Sequence, residues 1–508
     1  MKKTYGNVPT CFPSFFHEVM FIFACGMSQL LNQGAMNQTL TLFKLIPDSL
    51  NSSSSENWLM ASFTLAAGSS ILVTGHMGDI YGLKKMVLVG FVISMFGGLI
   101  IGLSQYTKSN NQFIIGRALF QGLGVSFLVP NLMGIVGREY EVGSKRKFLV
   151  ISILGANAPL GAAFATLFPG IITHSNEKNW PWAFYSYSIL CFVDCFVVWK
   201  YVPPDRNVNI ENLKLDYLGI IFGVYGLAGF NFSWNQAAVD GWNKSYNIVI
   251  LVTSIISLIV FYYHEKKTTN PILDPKVINN YKVVMILVIL LVGWGSFGIS
   301  LNYLYEYYLV LEGNSSLIGG LKFIPFSIFG IIASLSVPEL IRVFNPMGVL
   351  LLAGFGFTGG ALCYSFMNPS MPYWALEFVG TCILSFGMDL SFPASSIVLS
   401  DLIPNGNSGS LVSTMTNYGV ALFLGIGSYA EKRISAKHAQ WNLLKQYRVG
   451  FYFAIGTGIL ACILSIIMII DQKINPVGGH VEVQEYFNSD ENSEDELDEI
   501  QKKISTII

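Results

Sequence analysis

Read along the chain, apolar residues fall in long unbroken blocks separated by short polar knots. Fourteen such blocks lie near 16–40, 57–75, 86–104, 111–137, 147–172, 180–201, 216–236, 246–263, 282–311, 315–337, 347–366, 372–394, 407–428 and 449–471. Each is close to the ~20 residues a helix needs to cross a hydrocarbon core about 30 Å thick. A segment in lipid must close its backbone hydrogen bonds within itself, so these blocks read as helices. A membrane barrel would instead show alternation over stretches of about ten residues, and none is visible. The pattern predicts an all-α membrane protein with fourteen transmembrane helices.

Composition supports this reading. The 508 residues are 52% hydrophobic and 12% charged, with a mean hydropathy of +0.52. Soluble domains carry about 25% charged residues. The net charge of −1 speaks against a nucleic-acid surface. Seven cysteines lie mostly inside apolar blocks with no C-x-x-C pair, so they read as small hydrophobes rather than metal ligands or disulfides. The start, MKKTYGNVPT, is basic and short and has no small-residue cleavage site, which speaks against a removable signal peptide. No G-x-x-x-x-G-K-[ST] phosphate loop marks a primary pump. The six histidines are scattered, and no nucleophile–base cluster suggests an enzyme. No cofactor or metal is expected.

Lysine and arginine set the orientation. With the N-terminus inside, the inner loops hold Lys84 and Lys85; Arg138, Lys145, Arg146 and Lys147; Lys200, Arg206 and Lys214; Lys266, Lys267, Lys276 and Lys282; and Arg342. The outer loops hold Lys44, Lys108, Lys178 and Lys244, except that the last, Glu431 to Arg448, has five basic residues. The glycosylation sequons at Asn51, Asn243 and Asn314 all fall in outer loops, whereas those at Asn37 and Asn231 lie inside spans and out of reach. Residues 473–508 carry "NSDENSEDELDE", an acidic run read as a disordered cytoplasmic tail in which Ser493 is a candidate kinase site.

Three stretches carry chemistry. The first is "GHMGDIYGLKK", Gly75 to Lys85, placed as the inner loop between helices 2 and 3. Its glycines allow a tight reversal, and Asp79, an acid near the bilayer edge, calls for a partner. The second is "GRALFQGLGVSFLVPN" in helix 4. Its Arg117, Gln121, Gly124, Leu128 and Asn131 recur at intervals of 4, 3, 4 and 3 and so share one face. An arginine this deep in a span is expected to face a cavity or a partner. The third is "GANAPLGAAF" in helix 5, where small residues permit close packing and Pro159 bends the helix.

Together these stretches resemble the major facilitator superfamily. Gly75, Gly78, Asp79, Gly82, Lys84 and Lys85 match its signature loop, with Ile80 and Leu83 where arginines usually stand. The resemblance implies an inner-gate latch that is partly replaced here. The helix-4 stretch is similar to the R-x-x-x-Q-G-x-G motif, which implies a role for Arg117 and Gln121 in proton transfer. Gly155, Pro159 and Gly161 match the helix-5 antiporter motif, with Ala158 and Ala162 replacing two glycines. Fourteen spans, "SQLLNQGAMNQTL" in helix 1 and "NWPWAF" before helix 6 resemble the fungal drug:proton antiporters with 14 helices. The likeness is closest to the yeast aminotriazole-resistance and boron-efflux branch, whose neighbourhood includes an ammonium transporter.

The resemblance also implies the layout. Residues 1–201 form a first six-helix half, 202–281 an inserted pair (helices 7 and 8) with linkers, 282–472 a second half, and 473–508 the tail. "SVPELIRVFNPMG", Ser336 to Gly348, reads as a worn second copy of the signature loop. By the family pattern, helices 1, 4, 9 and 12 line a central cavity. Helix 1 brings Gln29, Asn32, Gln33, Asn37 and Gln38, amides suited to small neutral polar solutes. Helix 9 brings Trp294, Asn302, Tyr303, Tyr305 and Glu306. Helix 1 lacks the aspartate of many 14-span antiporters, so the proton candidates are Asp389, Glu306 and Glu377, with Lys322 as a partner and Asp194 and Asp216 as further acids. The expected activity is proton-coupled export of a small polar solute or drug, such as borate or an aminotriazole-like compound. It would run in a monomer embedded in the plasma membrane, or alternatively the vacuolar membrane, with both termini cytoplasmic. The alternatives are an uptake carrier for a small solute such as ammonium, and a non-transporting nutrient sensor of the same fold.

Overall fold

A computed structural model of the chain describes residues 8–51, 56–141, 144–205, 214–403 and 408–474. The acidic run with Ser493, and also Arg206, lie outside the described residues. Among the described residues every regular element is helical, and thirteen helical stretches are long and apolar enough to cross a bilayer. The first nine are α1 (Phe15–Asn37), α2 (Glu56–Tyr81), α3 (Leu83–Thr107), α4 (Asn110–Glu139), α5 (Lys145–Ser175), α6 (Trp182–Tyr201), α7 (Tyr217–Asp240), α8 (Ser245–Glu265) and α9 (Tyr281–Leu311). The tenth stretch, Ser316–Ser365, has 50 residues. At 1.5 Å per residue it runs about 75 Å, more than twice a bilayer core. Asn345, at φ 57° and ψ 166°, breaks it into α10 (316–344) and α11 (346–365), which is compatible with fourteen crossings. Then follow α12 (Glu377–Leu402), α13 (Ser408–Lys437) and α14 (Leu443–Ile474).

The helices form two groups. In the first, α1 lies on α5 and α6, α3 on α4 and α6, and α2 on α4. In the second, α9 packs on α13 and α14, and α10 and α11 pack on α12 and α14. The groups meet along two seams, α2 against α13 and α5 against α10 and α12. Lipid tails are as apolar as leucine, so association in a membrane depends on close van der Waals fit and on buried hydrogen bonds. The seams use both. Gly68 abuts the Tyr418 backbone, and Gly320 abuts the Thr166 carbonyl.

The inserted pair joins this interface. While α8 packs on α7, α7 lies against both α2 and α13. Asn235 Nδ2 donates to the Ala421 carbonyl at 3.0 Å, and Tyr418 Oη donates to the Leu227 carbonyl at 3.0 Å. On the other side, Trp58 Nε1 donates to Gln236 Oε1 at 3.0 Å. Asn231, inside α7, is fully buried, as a sequon within a span must be.

Candidate functional site

The signature stretch differs from the expected loop. Helix α2 runs on to Tyr81 and α3 starts at Leu83, so Gly75, Gly78 and Asp79 are helical and the reversal is Gly82 alone. Gly82 sits at φ 108°, a conformation that only glycine adopts without strain. The helix persists because its glycines face neighbouring helices: a Cβ at Gly78 would run into Asn131 of α4, and one at Gly75 into Ser410 of α13. Asp79 Oδ1 pairs with Arg138 Nη2 at 2.7 Å on the half-exposed surface.

The sequence reading did not find Asp205, which holds the start of α3. Asp205 Oδ1 accepts from the Lys84 amide at 2.8 Å, and Oδ2 accepts from the Lys85 amide at 3.3 Å. Lys84 Nζ donates to the Val202 carbonyl at 2.7 Å. A carboxylate thus caps the N-terminus of α3, where the amides are otherwise unsatisfied and the helix dipole is positive. The stretch Ser336 to Gly348 also reverses in one residue, Asn345, whose own Oδ1 accepts from the Gly348 amide at 3.0 Å.

Arg117 is fully buried and, of the cavity or partner expected for it, the structure shows partners. Its Nε donates to the Leu59 carbonyl of α2 at 3.1 Å. Its Nη1 donates to the Ala35 carbonyl of α1 at 2.5 Å and to Gln121 Oε1 at 2.7 Å. The Phe63 ring lies 5.0 Å from the guanidinium carbon. None of these partners is a carboxylate. Ala35 belongs to the last turn of α1, where carbonyls lack helical partners. Around Arg117 the backbone widens to a π-helix, Gly116–Gly122, a form frequent at functional sites. The face predicted from the 4-3-4-3 spacing is real: Gln121, Gly124, Leu128 and Asn131 are all buried with Arg117.

The helix-1 amides are buried, with Gln29 at 2%, Asn32 at 6%, Gln33 at 4% and Asn37 at 0% exposure. Asn37 Nδ2 donates to the Gln33 carbonyl at 2.8 Å. Both polar atoms of Gln29, Gln33 Oε1 and Gln38 Nε2 have no hydrogen-bond partner. Gln29 borders a cavity of about 10 Å³ at the crossing of α1, α4, α5 and α12, closed by Leu132, Leu154 and Phe392. That volume is about one water, so this conformation is shut around the amide. A much larger cavity of about 540 Å³ lies where α1, α5 and the α9–α10 link end, lined in part by Lys44, His174 and Asn314.

The antiporter helix and Asp389 come together. Asp389 of α12 is 2% exposed, and its Oδ2 has no partner. A Cβ at Gly330 of α10 would meet both Asp389 and Pro159 of α5. Ser327 Oγ donates to the Pro159 carbonyl at 2.6 Å, and Gly155 faces Pro393 and Ser334. Gly161, on another face, packs on the α1 backbone at Leu30. The carboxyl therefore sits in the seam between the two helix groups.

The remaining candidates are engaged within one group. Trp294 Nε1 donates to Ser391 Oγ at 3.0 Å, and Asn302 Nδ2 donates to Glu306 Oε1 at 2.7 Å. Glu377 Oε2 accepts from Lys322 Nζ at 2.8 Å, as the sequence suggested. Asp194 accepts from Ser28 Oγ at 3.4 Å, between α6 and α1. Asp216 caps α7 and contacts His264 Nε2 at 2.8 Å. Sequence reasoning missed Glu18. It is buried in α1, paired with Arg146, and accepts from Tyr140 Oη at 3.1 Å. Burial beside this carboxylate pushes the Tyr140 phenol above its usual range, so it stays a donor. An acid four residues inside an apolar block was the available signal.

Two groups of helices meeting along polar seams, with unpaired amides and a carboxyl where they cross, define a multi-pass membrane carrier. The family profile described as Major Facilitator Superfamily matches residues 22–428, and the chain belongs to that superfamily. It is 42% identical to the aminotriazole resistance protein of Saccharomyces cerevisiae over 473 residues, 92% of this chain and 86% of that protein. It is 31% identical to the major facilitator superfamily multidrug transporter mdr3 of Aspergillus fumigatus, over 87% of this chain and 78% of that one. The solved structure of an auto-inhibited POT family peptide transporter shares the fold, with a TM-score of 0.61 at 14% identity over 90% of this chain and 97% of that one. The chain is therefore an integral membrane transporter of the major facilitator type, not an enzyme.

Proposed function

We propose that the chain is a proton-coupled antiporter that exports a small polar solute. Gln29 carries the solute half of this reading. Its neutral amide has both polar atoms unpaired, at the crossing of four helices that span both groups. Buried amides are ordinarily paired, and leaving one unpaired costs about 1–3 kcal/mol. A solute hydroxyl or amine would complete both bonds. Asp389 carries the proton half, since it lies in the moving seam and can exchange a proton as α5 and α10 part. Solute release and proton uptake are then linked by rocking of the two groups about α2–α13 and α5–α10. The likeness to the aminotriazole resistance protein and to the multidrug transporter mdr3 supports export.

The test is flux in proteoliposomes with borate and aminotriazole, with and without a proton gradient. Gradient-driven movement of either solute is expected, and a protein that binds but moves nothing is a sensor. Gradient-independent uptake of ammonium alone would replace the antiport reading.

The Gly82 end of the bundle is proposed as cytoplasmic, in a plasma membrane. Asn51 and Asn243, both exposed, and Asn314 lie at the opposite end. Glycosidase treatment is expected to shift the mobility of the yeast-expressed protein, and the shift should shrink with each Asn→Gln change. A shift unaffected by all three changes would contradict this orientation.

A further inference from the structure

Near the Asn51 end, Lys322 of α10 is held by two acids at once. Its Nζ donates to Glu312 Oε2 at 2.5 Å and to Glu377 Oε2 at 2.8 Å. Side-chain exposures are 16% for Lys322, 13% for Glu312 and 4% for Glu377. The Tyr308 and Tyr373 rings flank the ammonium at 4.6 and 5.6 Å. The same Glu312 oxygen accepts from Asn314 Nδ2 at 2.6 Å. Two carboxylates on one ammonium leave one negative charge in excess, and burying a charge without a counterion is costly.

Among the described residues no second cation hydrogen-bonds to either acid. Phenols line the cluster instead: Tyr308 and Tyr373 flank the ammonium, and Tyr373 Oη donates to the Lys322 carbonyl at 2.7 Å. Arg448 of α14 comes near Tyr307, but its Nη2 donates to the Met367 carbonyl at 3.3 Å and it makes no hydrogen bond to either acid. Tyr307 is fully buried, its hydroxyl has no partner, and it lies within electrostatic reach of both carboxylates.

We infer that Glu312, Lys322 and Glu377 form a binding site for one proton, shared by the two carboxyls on a single ammonium. Both oxygens lie within bonding distance of one nitrogen, so they are close enough for ionisation of one to oppose ionisation of the other. Asn314, which donates to Glu312, also lines the 540 Å³ cavity together with Gly313. Proton binding here is a property of the resting protein. It holds or fails independently of coupling at Asp389.

Infrared difference spectra of the full-length purified chain between pH 5 and pH 8 test this through the protonated-carboxyl stretch. The wild type is expected to show a band that both Glu312→Gln and Glu377→Gln lose. In either variant the one remaining carboxylate forms a neutral pair with Lys322 and stays ionised. Retention of the full wild-type band by Glu312→Gln would overturn the shared site, because Glu377 would then titrate alone or not at all. Proton-uptake stoichiometry gives a second reading. Glu312→Gln is expected to take up one proton fewer per chain than the wild type on acidification, and equal uptake would count against the site.

Discussion

Asp389→Asn is expected to abolish solute movement driven by a proton gradient while leaving solute-for-solute exchange intact. The carboxyl is 2% exposed and has an oxygen with no partner. The groups against it, Gly330 and Pro159, offer no cation. An ionised carboxylate in such a place would be an uncompensated charge, whose transfer from water is far more costly than that of a neutral amide. A bound proton would remove that cost while the seam is shut, and the proton can leave when the seam opens to water, where the carboxylate is hydrated. Asparagine keeps the shape and stays neutral in both states, so it permits rocking without a proton. The measurement is paired flux in proteoliposomes, gradient-driven and exchange. Undiminished gradient-driven flux would remove Asp389 from the coupling reading, and loss of both modes with folding intact would make it part of solute binding instead.

The second large effect is expected at Arg117. Arg117→Ala should reach the membrane yet lose coupled flux, with a clear drop in thermal stability. The guanidinium closes three bonds to α1, α2 and its own helix. Hydrogen bonds to charged groups contribute about 1.5–3 kcal/mol each, and their loss frees the end of α1 that carries Asn37. Arg117→Lys separates two roles. A lysine keeps the charge but lacks the planar fork that reaches three acceptors. If Arg117 acts as a staple, the lysine variant loses stability and flux together; if its charge alone matters, the lysine variant transports. Coupled transport by Arg117→Ala at the wild-type rate would exclude the residue from the mechanism.

Much of this architecture was legible in the sequence because lipid imposes simple rules. A block of about 20 apolar residues has few alternatives to a helix, so the spans could be read one by one. The face shared by Arg117, Gln121 and Asn131 followed from helical spacing alone, and Lys322 was read as a partner for the candidate acids without saying which one. Three features were not legible in this way. The signature stretch read as a loop because glycines usually break helices, yet close packing against α4 and α13 holds α2 helical through Tyr81. Asp205 gave no sign of capping α3, because 120 residues separate it from Lys85. Arg117 called for a cavity or a partner because its cost in lipid is plain locally, but which partners offset it was not, since the carbonyls of Ala35 and Leu59 come from other helices.

By itself, then, the sequence determined the solvent, the kind of rods and the residue types too polar to face lipid, since each depends on local composition and helical period. Only the tertiary structure decided which polar groups meet. It joined Asp389 to Pro159 across two helix groups, left Gln29 unpaired at a crossing of four helices, set Glu312 beside Glu377 on one ammonium, and laid α7 against both α2 and α13. Such pairings depend on how rods of similar length and greasiness lie side by side. That arrangement comes from glycine contacts and buried hydrogen bonds between segments far apart in the chain.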